Sequence, residues 1–316
     1  MLASIVVLCL TLLMIVVDAA AQIAFASDRD GDYEIYVMNI NGKNLRRLTN
    51  NRHLDHSPSW SPDGKRIVFS SNRDRNREIY VMDADGRNQL NLTNNPQGDY
   101  SPSWSPDGER IVFTSDREIY VIDADGGNQR KLVQNDENDV KDYSPSWSPD
   151  GKRIVFSSER EGHFRDALGH VTSEIYVMDA NGGNEQRLTE NRDEDWSPSW
   201  SPDGKRIAFS SWKPGNWESI EIYVMDADGR NQRRLTKNLH PDDSPSWSPD
   251  GERIVFDSSR DGNTEIYMMD ANGRNQRRRT QHGSYDGAPA WYAPALAVAP
   301  VGKTITMWGW LKQVNR

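Results

Sequence analysis

Six aspartates recur at one place in a repeating sequence: Asp55, Asp99, Asp142, Asp195, Asp242 and Asp286, each two residues ahead of a Ser-Pro or, in the last copy, an Ala-Pro pair. Carboxylates gathered in one place repel each other and favour a bound positive charge. Arranged in a ring they would take a cation or a Lys- or Arg-bearing partner, and a divalent cation is the one cofactor such a ring would admit. A second reading makes them framework: each aspartate accepts hydrogen bonds from loop backbone or from a repeated arginine such as Arg73. Directly after four of them stand His56, Tyr100, Tyr143 and Trp196. Aromatic side chains near the centre of a face are frequent anchors in protein interfaces, and they serve equally well to plug a channel.

Other signals for chemistry are few. The sequence has no HExxH, no GxSxG and no phosphate-binding loop, and its single cysteine, Cys9, lies in the apolar leader. The stretches 83–86 and 226–229, Asp-Ala-Asp-Gly, lack the Gly and Glu positions of a calcium loop and read as tight turns. Asp28, Asp30, Asp32 and Glu34 are denser in carboxylates, but again the glycine is misplaced, and a turn is expected. His163 and His170, with Glu161 and Asp166, match no metal-ligand spacing and read as a solvated loop.

The elements that must position these residues follow from the repeat itself. SPSWSPDG occurs five times without change, with its first tryptophan at Trp60, Trp104, Trp147, Trp200 and Trp247, and a worn copy surrounds Trp291. The steps are 44, 43, 53, 47 and 44 residues, the period of propeller blades. Within each unit Ser-Pro-Asp-Gly closes a hairpin, and apolar runs such as RIVFSS and EIYVMD predict strands buried on both faces. A short polar segment such as 89–93 then forms the outer edge. The run Arg277, Arg278, Arg279 lies on such an edge and keeps it charged and unpaired. EIYVM-type strands number six; the first unit lacks an SPSW strand and the last SPSW-like strand has no followers. The expected fold is all-β: a six-bladed β-propeller of four-stranded antiparallel blades, its ring closed by N- and C-terminal strands sharing one blade.

SPSWSPDG, EIYVMDADG and the trailing RLT resemble the WD40-like repeats of the TolB-like propeller family over residues 22–292. The resemblance implies the propeller fold and a protein-binding role in the cell envelope. Family members carry an α/β domain before the propeller; here the repeats follow the apolar leader directly, so the roles of that domain are not implied.

In a four-stranded blade the loops before the first strand and between the second and third emerge on one face, and the two tight turns on the other. The turns hardly vary. The first face receives the insertions 159–173 and 212–220, bringing His163, His170, Trp212 and Trp217, and variable loops on a rigid frame are where binding resides. A net charge of −9 excludes a nucleic-acid partner and suits a cationic one. Residues 1–21 read as a signal peptide with cleavage before Gln22, rather than a membrane anchor, since the uncharged run is short of the roughly 20 residues a span needs. The expectation is a periplasmic or secreted, monomeric, non-catalytic propeller that binds protein. The alternative is a polysaccharide-acting enzyme, a glycan lyase or hydrolase, or a carbohydrate-binding propeller. Residues 293–316 are a tail to which no role is assigned.

Overall fold

The computed structural model describes residues 21–133, 140–160, 172–213 and 220–292. The leader (apart from Ala21), the tail, the histidine-bearing insertion (His163, His170, Glu161 and Asp166) and Trp217 lie outside them. Six four-stranded antiparallel sheets form the ring. Blade 1 joins Asp286–Tyr292 to Gln22–Ser27, Glu34–Asn39 and Arg46–Arg47, so strands from the two ends of the propeller close the circle as expected. Gln22 pairs with Tyr292 and Ile23 with Trp291 across that seam. The inner strands of blades 2 to 6 are Asp55–Trp60, Asp99–Trp104, Asp142–Trp147, Glu194–Trp200 and Asp242–Trp247. Each inner strand begins before its Ser-Pro pair, so the repeated aspartates stand within strands rather than ahead of them.

The second and third strands of each blade are buried on both faces, as their continuous apolar runs require. Their side chains form wedges between neighbouring blades: Trp60, Ile67 and Phe69 of blade 2 pack with Ala24, Ile35 and Val37 of blade 1. Each tryptophan is also capped by an arginine from the blade before it, as with Arg66 over Trp104 (4.7 Å) and Arg153 over Trp200 (4.7 Å). At the seam the partner is different, and Tyr292 stacks on Trp60 at 5.1 Å.

The turn chemistry closes on itself. In Ser-Pro-Asp-Gly, Ser61 Oγ and the Lys65 amide both donate to Asp63 Oδ1 (2.7 and 3.1 Å). Gly64 takes φ +67, and a Cβ there would strike the Tyr292 ring. In Asp-Ala-Asp-Gly, Arg87 N donates to Asp85 Oδ1 (3.0 Å) and Asn88 Nδ2 to Asp83 Oδ2 (2.6 Å), so these carboxylates serve the turn. The acidic stretch after Ser27 behaves likewise: Gly31 N donates to Asp28 O (2.9 Å), and Asp28 Oδ1 accepts from Tyr285 N (2.8 Å).

Candidate functional site at the channel mouth

Every inner strand carries a bulge at its Ser-Pro pair. In blade 2 His56 pairs with Ser70 and Ser59 with Val68, which leaves one extra residue on the inner strand. Ser57, Ser101, Ser144, Ser197, Ser244 and Ala288 adopt φ of 50 to 55°, and these residues with the following prolines line the central channel. Proline is tolerated there because the inner strand is the edge of its sheet and has no further neighbour to receive an N–H.

The six aspartates are not an open ring of charge. Asp55, Asp99, Asp142, Asp195, Asp242 and Asp286 are all 0% exposed, which corrects the expectation of carboxylates presented at the mouth. Four are held by arginines. Arg73 Nη2 donates to both Asp55 oxygens (3.1 and 2.9 Å), Arg260 Nη2 to both Asp242 oxygens (3.0 and 2.9 Å), Arg29 Nη2 to both Asp286 oxygens (2.7 and 2.8 Å) and Arg160 Nη2 to Asp142 Oδ2 (2.6 Å). An asparagine from the preceding loop braces several of them, as Asn51 Nδ2 does Asp55 Oδ2 (2.7 Å). The physical reason is position: a strand's first residue lies under the loop it follows, and burial there demands a paired charge.

The residues after the aspartates, all but the buried Gly287, are partly or fully exposed, and they break the six-fold symmetry. In blades 1 to 6 they are Gly287, His56, Tyr100, Tyr143, Trp196 and Asp243. Tyr100 is 40% exposed and lies beneath Arg77, 5.0 Å from its ring centre. His56 packs edge-on against Tyr33 (5.9 Å) and beside Tyr285 (6.2 Å), which themselves meet at 5.3 Å. Burial, aided by the Arg77 charge, pushes the His56 imidazole down to about 4, so it is neutral at pH 7. Tyr143 and Trp196 share a pocket with Glu159 and Glu194 between blades 4 and 5. There burial and the Glu159 carboxylate push the Tyr143 hydroxyl up to about 12, while Lys141 Nζ pairs with Glu159 (2.7 Å).

Next to Trp196, in blade 6, lies a pair of acids that the sequence reading did not single out. Asp243 Oδ1 accepts from Trp196 Nε1 (3.0 Å), Ser210 Oγ (2.6 Å) and its neighbour Ser244 N (2.6 Å). Asp257, where four other blades have Ser or Thr, accepts from Ala288 N (3.0 Å). Burial and the Asp243 charge hold its carboxyl well above the usual carboxylate range. Both acids also raise Tyr285, after burial itself. The two acids face each other across neighbouring strands of blade 6; their departures from the repeat were visible in the sequence, but the donors that reach them from blades 5 and 1 were not. An asymmetric set of His, Tyr and carboxylates therefore exists at the mouth, though its acids are engaged by structural donors and His56 Nδ1 contacts only Ser57 Oγ (3.0 Å) among the described residues.

The family model described as the Tricorn protease N-terminal beta propeller domain matches residues 19–119, and that of the TolB beta propeller domain matches residues 217–308. The Tol-Pal system protein TolB of Geobacter sulfurreducens is 44% identical over 46 residues, 15% of this chain and 11% of that protein. The matched stretch is thus about a tenth of the relative's length. The crystal structure of TolB from Acinetobacter baumannii superposes with a TM-score of 0.71 at 25% identity, covering 88% of this chain and 67% of that one. An oligogalacturonate lyase in complex with manganese shares the fold alone, with a TM-score of 0.55 at 18% identity over 81% of this chain and 73% of that one. By repeat and by fold the chain is a TolB-like propeller.

Proposed function

We propose that this TolB-like propeller is an exported, non-catalytic scaffold that binds a protein partner in the cell envelope through the channel-mouth face. The observation that carries the reading is the asymmetric mouth: Tyr100, Tyr143 and Trp196 flank a channel whose opposite turns are uniform and self-satisfied. Partly exposed aromatics held by a rigid frame supply binding energy with little loss of side-chain freedom. The net charge of −9 favours a basic partner. Action in the periplasm fits the leader sequence and the likeness to TolB; we read the propeller as a monomer because its ring closes on itself.

The second reading, an enzyme acting on polysaccharide, draws on His56, Tyr285 and the Asp243 and Asp257 pair standing at one mouth. It ranks lower because both acids are bonded to framework donors. Capture from an envelope extract on the immobilised protein, beside a screen of acidic polysaccharides for lyase or hydrolase products, separates the two. A protein retained by the parent and lost by the Tyr143→Ala, Trp196→Ala double variant supports the scaffold. Turnover of a polysaccharide, abolished by Tyr285→Phe, would replace it with the enzyme.

A further inference from the structure

Four blades build the same receptor for their own arginine. In blade 2 the Arg73 guanidinium sits against the buried Asp55 carboxylate, donates through Nε to Ser71 Oγ (2.8 Å), and lies over the rings of Phe69 (5.5 Å) and Tyr80 (4.5 Å). Blade 6 repeats it with Arg260 on Asp242, Ser258 (2.8 Å), Phe256 (5.6 Å) and Tyr267 (4.6 Å). Blades 1 and 4 do so with Arg29 and Arg160. The arginine side chains are 11 to 19% exposed, so each receptor opens to solvent at one side.

Blades 3 and 5 keep the receptor and turn the cation away. Phe113 and Tyr120 stand 6.0 Å apart, and Phe209 and Tyr223 5.7 Å, as in the other blades. Asp99 pairs with Ser115 and Asp195 with Ser211 in the same register. In blade 3, however, the loop after Ser115 is only Asp116 and Arg117, both left-handed (φ 47 and 68°), and this sends Arg117 out into solvent. In blade 5 the arginine position holds Lys213, which is exposed. Each aspartate receives one well-aligned hydrogen bond, Asp99 Oδ2 from Asn95 (2.9 Å) and Asp195 Oδ2 from Asn191 (2.8 Å), with the Ser115 and Thr93 hydroxyls beside Asp99 and the Ser211 and Thr189 hydroxyls beside Asp195 giving weaker support. Oδ1 of each is buried with no donor in hydrogen-bonding geometry. The aromatic wall responds in these two blades alone: Tyr36, Tyr80, Tyr176 and Tyr267 are 3 to 5% exposed, whereas Tyr120 and Tyr223 are only partly buried.

The geometry points to two guanidinium-binding sites, at Asp99 with Phe113 and Tyr120 and at Asp195 with Phe209 and Tyr223, each able to receive an arginine side chain from a partner. A planar guanidinium is selected over an ammonium because it alone meets the carboxylate edge while stacking on the rings. The orphaned carboxylate oxygen is what such a ligand would satisfy. This assignment rests on the receptor geometry and not on the scaffold reading, so each can fail without the other.

The test is calorimetric titration of the full chain at pH 7 with methylguanidinium at millimolar concentration, well below denaturing levels. The parent should take up two equivalents and rise in melting temperature. Lys213→Arg, which restores the internal arginine of blade 5, should take up one, and Asp99→Asn with Asp195→Asn should take up none. Equal uptake by the parent and the double aspartate variant would overturn the proposal, as would an equal response to methylammonium or sodium chloride. Lys213→Arg keeps the test decisive should the double variant fail to fold, because undiminished uptake by Lys213→Arg contradicts the blade 5 site.

Discussion

Blades 2 and 6 and blades 3 and 5 have nearly the same sequence, yet one aspartate does different work in the two pairs. Asp55 and Asp242 are locked by Arg73 and Arg260 and belong to the frame. Asp99 and Asp195, equally buried, have no arginine among the described residues and stand half satisfied. A repeated residue therefore has no fixed role; its partner decides whether it is framework or receptor. In one pair burial is compensated by a guanidinium, and in the other it raises the carboxyl, Asp195 to about 6 and Asp99 in the same direction.

The largest effect expected from this contrast is on stability. Arg260→Ala leaves the buried Asp242 carboxylate alone and should lower the unfolding free energy by about 3 kcal/mol. Lys213→Ala at the equivalent place in blade 5 should change it by less than about 0.5 kcal/mol. Urea unfolding of the two variants beside the parent measures both, and equal losses would erase the distinction between the blades.

The pH dependence comes next. The Asp195 carboxyl rises from its ordinary 3.8 to about 6 in the folded protein, chiefly through burial. Between those values the folded state binds more protons than the unfolded one, so stability is highest below the unfolded value and falls as pH rises toward 6 and through it. The span corresponds to roughly 2 to 3 kcal/mol. Asp195→Asn should remove that slope from unfolding curves taken between pH 4 and 7, and a slope unchanged in the variant would show that Asp195 ionises freely. A smaller gain is expected from Lys213→Arg, which should raise the unfolding free energy by about 1 kcal/mol by supplying a charge-assisted hydrogen bond to the orphaned oxygen. No gain, with the arginine remaining in solvent, would mean that blade 5 has lost the receptor geometry.

The fold was legible because the repeat carries it at several levels at once. Trp spacing gave the blade period, Ser-Pro-Asp-Gly the hairpins, and the missing inner strand of the first unit the closure now formed by Asp286–Tyr292. The site was legible only in part. Arg73 was foreseeable as a partner for Asp55, but which of six aspartates would lose that partner depends on loop backbone, as the left-handed pair Asp116 and Arg117 demonstrates. The contact of His56 with Tyr33 and Tyr285, and the bonds from Trp196 and Ser210 to Asp243 and from Ala288 to Asp257, join residues from different blades. Such neighbours are set by curvature of the ring, which no local pattern encodes.

The scaffold reading stands or falls on which face of the ring holds the partner. The deciding measurement is the affinity of the captured protein for Tyr143→Ala with Trp196→Ala and for Lys65→Gln, which keeps the turn chemistry of the opposite face, each at two ionic strengths and with thermal melts as the folding control. The mouth variant should bind at least tenfold more weakly, since each aromatic anchor is worth about 2 kcal/mol, while Lys65→Gln should bind as the parent does. Normal binding by the mouth variant, with loss of the partner in Lys65→Gln, would contradict the account.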